Sequence, residues 1–251
     1  DRPPLLPGFG LGDSTTGLMG AYLAMVALFH QRTQGGPGQV IDLALYETLF
    51  TLLGPQPIEY DQLGLVQERN GSRLPFTAPR NTYRSRDGKW VSMAGSAQSI
   101  FERICAALEV PELVRDPRFA DNRLRMANAE ALDVELQKAF ERFDLAELLD
   151  RFDRFEAAIA PVNSIAQIFA DPHVAARGNI AAVRDTELDT VLRMQNVVGK
   201  LSRTPGRITR PGPRQGEDNH AILIERLGFT PEEARAAGID IAPPESSGGR
   251  R

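Results

Sequence analysis

The chain has 251 residues, 42% hydrophobic and 25% charged, which suits one or two globular domains with a sizeable core. Its 29 basic and 33 acidic residues leave a formal net charge of −4, and no basic stripe with interleaved aromatics appears, so nucleic acid is not an expected partner. One cysteine, Cys105, excludes an internal disulfide framework and fits a reducing, cytoplasmic compartment.

Asp1 to Pro7 reads as a linker without capping logic. The organising stretch follows, Gly10-Leu11-Gly12-Asp13-Ser14-Thr15-Thr16-Gly17, running into the apolar segment Leu18 to Phe29. Asp13 or Ser14 would cap the helix, and a carboxylate there sits at the positive end of the dipole, which favours the charged form that a carboxylate nucleophile needs. On local chemistry alone, an Asp before a helix is more often a plain cap than a nucleophile. Leu18, Met19, Tyr22, Leu23, Val26 and Phe29 repeat at three- and four-residue intervals with small residues between them, which predicts a buried helix. The run is shorter than the ~20 residues of a membrane span, so no membrane partner is expected. Gln34 to Gly38 is a turn, Val40 to Leu45 a short strand, and Tyr46 to Leu53 a further helix.

Residues 54–76, rich in Gly, Pro, Asn and charge, read as a linker, and Asn70-Gly71-Ser72-Arg73 has the polar, flexible character that a lid requires. A plain surface turn accounts for it too. Two β-rich runs around Asp87-Gly88 predict a hairpin. Ser96 or Ser99 would cap the next helix, with Ile100, Ile104, Ala107 and Leu108 on one face and Cys105 as buried filler. Asp116 and Asp121 read as turn and cap residues. Leu132, Leu136 and Phe140 share a helical stripe, and Asp144-Leu145-Ala146-Glu147 opens another helix with a capping box, as does Thr230-Pro231-Glu232-Glu233 near the end. The tail 241–251 has a disordered composition. His30, His173 and His220 lack ligand spacing, so no metal is expected.

Gly12-Asp13-Ser14-Thr15-Thr16-Gly17, the apolar helix and then Gly38-Gln39-Val40-Ile41-Asp42-Leu43-Ala44-Leu45-Tyr46-Glu47 together resemble the family III CoA-transferases, the formyl-CoA and carnitine-CoA transferase group. Asp87-Gly88-Lys89-Trp90, Asp116-Pro117-Arg118-Phe119, Ala160-Pro161-Val162 and Asp171-Pro172-His173-Val174 to Arg177-Gly178 extend the resemblance in the family's order. It implies a mixed α/β fold: part of a Rossmann-like large domain over 1–53, the linker 54–76, a small α/β domain over 77–158, and a linker returning to the large domain over 159–240. It further implies an interlocked dimer, and an N-terminal Rossmann-like half that lies ahead of Gly12-Asp13 in the family and has no counterpart here. We therefore read the chain as a C-terminal piece; a separately encoded half is the alternative.

The resemblance makes Asp13 the covalent nucleophile, with Gly12, Leu45, Asn70 and Gly71 as substrate-binding candidates. CoA would move from an acyl-CoA donor to a carboxylic acid acceptor through aspartyl anhydride and aspartyl-CoA thioester intermediates. Coenzyme A thioester is then a substrate, and no permanently bound cofactor is implied. The α-methylacyl-CoA racemase branch, where the same Asp is an acid/base, is the rival reading, and a non-catalytic half or remnant is a third. The chain departs from the family pattern at Asp218, where His is usual, and in a turn at Gly35-Gly36 that is two residues longer.

Overall fold

The computed structural model describes residues 3–185 and 187–241, and the backbone divides between Phe76 and Thr77 into two units. The first carries three helices, α1 (Leu11–Gln34), α2 (Leu45–Thr51) and α3 (Gln56–Leu63). The apolar periodicity correctly marks α1 as a helix, but its expected burial is not found: no residue of α1 is buried, and Leu18, Tyr22, Met25 and Phe29 are all exposed. Geometry gives the reason. A helix of 24 residues runs about 36 Å, whereas α2 and α3 have seven and eight residues. Neither can cover such a length. Among the described residues of this unit only Thr48, at 6% exposure, is buried.

A further expectation fails here. Residues 40–44 are irregular, not a strand, because this unit offers them no strand to pair with, and Val40 stands almost fully exposed. The expected linker 54–76 carries α3, with proline in its first turn and a left-handed Gly64 closing it. Pro57 looks like a breaker in sequence, yet the first turn of a helix has no use for its missing N–H.

The second unit is built on the antiparallel sheet β1 (Arg80–Arg84), β2 (Trp90–Ala94) and β3 (Ile159–Pro161), in that spatial order. β1 and β2 form the expected hairpin, with Tyr83 opposite Val91 and Gly88 at φ +76° in the turn. Met93 pairs with Ile159 of β3, so 159–161 belongs to this sheet and not to a returning segment. Five helices follow β2: α4 (Gln98–Ala107), α5 (Glu112–Arg115), α6 (Asn122–Ala127), α7 (Ala129–Phe140) and α8 (Leu145–Arg154). Alternate sheet residues Tyr83, Val91 and Met93 pack into a core with Phe101, Ile104, Leu132, Leu136, Leu148 and Phe152. Phe140 stacks on Tyr83 at 4.7 Å between centroids and on Phe152 at 5.8 Å. Cys105 is buried there, and burial pushes its thiol up to about 12, so it is packing material and not a nucleophile.

Side-chain bonds mark the starts of α6 and α8. Asp121 accepts from the Leu124 N–H at 2.8 Å, Asp116 turns back onto Arg118, and Glu147 accepts from the Asp144 N–H at 2.8 Å, one half of the predicted capping box. Neither Ser96 nor Ser99 caps α4, whose cap position is Ala97 with no side-chain bond. Beyond β3 the chain forms α9 (Ile165–Ala170), α10 (Pro172–Arg177), an antiparallel hairpin β4 (Ile180–Asp185) and β5 (Thr190–Gln195), a π-helix (His220–Arg226) and α11 (Pro231–Ala236). All but Ile241 of the tail 241–251 lies outside the described residues.

Asp87 links the hairpin turn to α8. Its carboxylate accepts from Ser85 Oγ at 2.6 Å and from the Leu145 N–H at 3.1 Å, and it pairs with Lys89 at 3.0 Å. The Ser85 bond first, then Lys89, hold the acid down from 3.8 to about 2. The charged form is thus favoured by the fold, so its stabilisation is present above pH 3.8 and is lost as pH falls toward about 2. Asp87→Asn should flatten the pH dependence of unfolding in that window, measured by denaturant titration; an unaltered slope would contradict the assignment.

Candidate functional site

Asp13 is the third residue of α1, not its cap; Gly10 holds the cap position, and no side chain caps the helix. The acid therefore sits within the first turn, where backbone N–H groups lack helical partners and the dipole is positive. Its side chain is exposed and folds back over Gly10. A Cβ built on Gly10 would lie 2.7 Å from Asp13 Oδ2, so the glycine clears the space the carboxylate occupies. Gly10→Ala should leave thermal stability nearly unchanged, because the obstructing atom ends a rotatable side chain. It should also turn the carboxylate away and lower kcat, since misplacement by an ångström costs up to about 100-fold. Comparison of Tm and kcat checks both halves.

The next turn separates two threonines by what their hydroxyls do. Thr15 Oγ1 bonds back to Leu11 O at 2.8 Å, inside its own helix. Thr16 Oγ1 reaches across to α2, lying 3.2 Å from Leu45 O and 3.3 Å from Thr48 Oγ1. Gly12 faces α2, and a Cβ there would make only ordinary contact with Leu49 Cδ1 at 3.6 Å, so the approach does not depend on glycine. At the start of α2, the Glu47 carboxylate accepts from the Ala44 N–H at 2.8 Å. That is half of a capping box, with alanine where a hydroxyl residue would complete it.

Gly12, Asp13 and Leu45 are thus gathered where α1 meets α2. Leu45 is exposed at 56%. Asn70 and Gly71 lie in a turn closed by the Arg73 N–H on Asn70 O at 3.2 Å, with Gly71 at φ +63°. Positive φ at the first central residue is the glycine position of a type II′ turn. Among the described residues, neither Asn70 nor Gly71 bonds to Asp13. Thr48 and the clearance at Gly10 escape a reading of the sequence: Gly10 stands in plain view, but only the carboxylate's direction reveals its use.

Among the described residues no group of three or more His, Cys, Asp or Glu side chains gathers as metal ligands, and no helix is long and apolar enough to cross a membrane. Asp218, the departure from the family pattern, is held by Arg210 at 2.6 Å together with Glu217 at 3.3 Å. It serves as an ion-pair partner in the turn before the π-helix.

A model of CoA-transferase family III matches residues 1–219. The chain belongs to this family. It is 36% identical to a succinyl-CoA–D-citramalate CoA-transferase of Chloroflexus aurantiacus over 233 residues, covering 93% of this chain and 58% of that protein. It is 37% identical over 236 residues to the alpha subunit of a succinyl-CoA–L-malate CoA-transferase from Chloroflexus aurantiacus, covering 92% and 54%. The chain therefore spans a little over half the length of these family III relatives. Among solved structures, a CaiB/BaiF family protein from Brucella suis aligns with TM-score 0.71 at 28% identity, covering 90% of this chain and 57% of that one. A Mycobacterium tuberculosis protein, Rv3272, shares the fold with TM-score 0.74 at 21% identity, covering 88% and 57%.

Proposed function

We propose that this chain carries the nucleophile of a CoA-transferase that moves coenzyme A from succinyl-CoA or a related acyl-CoA to a small dicarboxylic acid. Family III membership carries the reading, supported by relatives named as succinyl-CoA transferases acting on citramalate and malate. Asp13 in the open first turn of α1 fits the role of attacking group.

In this reading a carboxylate oxygen of Asp13 attacks the thioester carbonyl carbon and the C–S bond breaks, giving a mixed anhydride and CoA thiolate. The thiolate attacks the Asp13 carbonyl, releasing the donor acid and leaving an aspartyl-CoA thioester. The acceptor carboxylate then attacks that thioester, forming a second anhydride and freeing the thiolate again. Attack of the thiolate on the acceptor carbonyl yields the new acyl-CoA and restores the Asp13 carboxylate. No proton is gained or lost overall. The intermediates hydrolyse readily, so water must be kept out, and the Asn70 to Arg73 turn is our assignment for that cover, with Gly12, Leu45, Asn70 and Gly71 contacting substrate. Backbone N–H groups of the first turn of α1 are placed to donate to the tetrahedral oxygen.

The exposed stripe of Leu18, Tyr22, Met25 and Phe29 needs a cover, since an apolar face left in water forfeits about 25 cal/mol for every Å². We assign that cover to the remainder of the large domain, on the same polypeptide or a companion subunit, in a dimeric cytoplasmic enzyme. The relatives named as alpha and beta subunits favour an assembly of more than one chain.

The test is a steady-state assay of the assembled enzyme containing this chain, with succinyl-CoA and four- or five-carbon dicarboxylates, run in D2O. Transfer with parallel-line, ping-pong kinetics supports the reading. Exchange of an α-hydrogen of an acyl-CoA for deuterium, without transfer, would instead establish racemase chemistry.

A further inference from the structure

Thr16 stands three residues beyond Asp13 on α1, so the two share one face of the helix. Its hydroxyl is the polar connection from that face to α2. Thr16 has one proton to give, and Leu45 O can only accept. The arrangement that uses both contacts has Thr16 donating to Leu45 O at 3.2 Å and accepting from Thr48 at 3.3 Å. Thr48 is the residue this unit buries, in the turn that begins at Leu45. Apolar packing lets a helix rotate or slide, whereas hydroxyl bonds are directional. They fix how far α1 is turned about its own axis, and with it where the Asp13 carboxylate points.

We propose that Thr16 and Thr48 are positioning residues that hold the Asp13 nucleophile in register with Leu45 on α2. The proposal rests on the reading of Asp13 as nucleophile and goes beyond it by naming what aims it. Both distances are long for O–H···O bonds, so they add little to stability and their effect is on geometry. Thr15, whose hydroxyl is spent within α1, supplies the contrast.

The experiment compares Thr16→Val, Thr48→Val, the double variant, Thr16→Ser and Thr15→Val in the assembled enzyme. Thr→Val keeps the shape and removes the hydroxyl. Thr16→Val, which removes both bonds, should lower kcat roughly tenfold, a fraction of what an ångström of misplacement costs, and Thr48→Val, which leaves Thr16 on Leu45 O, should lower it by less, with KM for the acyl-CoA within about twofold and Tm nearly constant in each. The double variant should be no worse than Thr16→Val alone, which already lacks both bonds, and Thr16→Ser should restore kcat. Unchanged kcat in both Val variants, or an equal loss in Thr15→Val, would overturn the proposal. Asp13→Asn in the same assay separates the two ideas. If it is inactive while the threonine variants are normal, only the positioning role fails; if it is active, the nucleophile reading fails first.

Discussion

Asp13→Asn is expected to abolish CoA transfer while leaving the protein folded. An amide of the same shape cannot attack a thioester, and removal of a covalent nucleophile typically costs about 10⁴-fold or more in kcat. The fold should not notice. Asp13 is exposed and no side chain caps α1, so the substitution removes at most the few tenths of a kcal/mol that a first-turn acid gains from the dipole. Binding of free coenzyme A should persist, because on the proposed mechanism the carboxylate acts on the reacting carbon and not on the carrier. The combination of lost kcat, retained Tm and retained coenzyme A binding is the signature; a variant with more than about a tenth of the original kcat would contradict the role.

The largest effect on stability is expected at Arg125, which is 1% exposed on α6. Its guanidinium donates to Ala78 O at 2.8 Å, Gln98 Oε1 at 2.7 Å, Phe119 O at 3.2 Å and Ser96 O at 3.2 Å, and it lies 4.6 Å over the Phe101 ring. One side chain thus joins the start of the second unit, the loop before α4 and the loop before α6. Burial lowers the basicity of this group, so its charge is not cheaply kept, and the fork of hydrogen bonds offsets that cost. Arg125→Ala removes the charge but orphans several carbonyls, each costing about 1–3 kcal/mol when buried, and opens a cavity beside Phe101. A net loss of about 3 kcal/mol in the unfolding of this domain is expected by denaturant titration. Arg125→Lys should recover little of it, since an ammonium cannot span the same four acceptors. A loss below about 1 kcal/mol in the alanine variant would show that the network is incidental.

Residues 77–158 of the second unit were largely legible in the sequence because their signals are local and their partners lie within the same stretch. Asp87-Gly88 marks the hairpin, Asp121 and Asp144 mark helix starts, and the stripe Leu132, Leu136, Phe140 meets Tyr83 and Phe152 as its period requires. Arg125 was not legible, since a charged residue between Leu124 and Met126 gives no sign that it turns inward toward backbone oxygens. The first unit was harder for a different reason. Its apolar pattern correctly announces a helix at α1, but periodicity states only that a face seeks cover, not that the cover is present. The same limit undid the strand expected at 40–45, which has the residues of a strand and no neighbour to pair with. At the site, Gly12-Asp13 and Leu45 stood out by resemblance, while the cap at Gly10 and the Thr16 to Thr48 connection depend on directions that no spacing encodes. A proline can start a helix as readily as end one, and α3 was missed on that account.

The most direct test is covalent trapping of the assembled enzyme. The protein is incubated with succinyl-CoA, quenched with hydroxylamine and digested, and the peptide that holds Asp13 is weighed. An activated carboxyl, as anhydride or thioester, is captured as the hydroxamate, whereas a free carboxylate is inert. The account predicts a hydroxamate at Asp13 that requires acyl-CoA and is absent from the Asp13→Asn variant. An unmodified Asp13 peptide from enzyme that is turning over succinyl-CoA would contradict it.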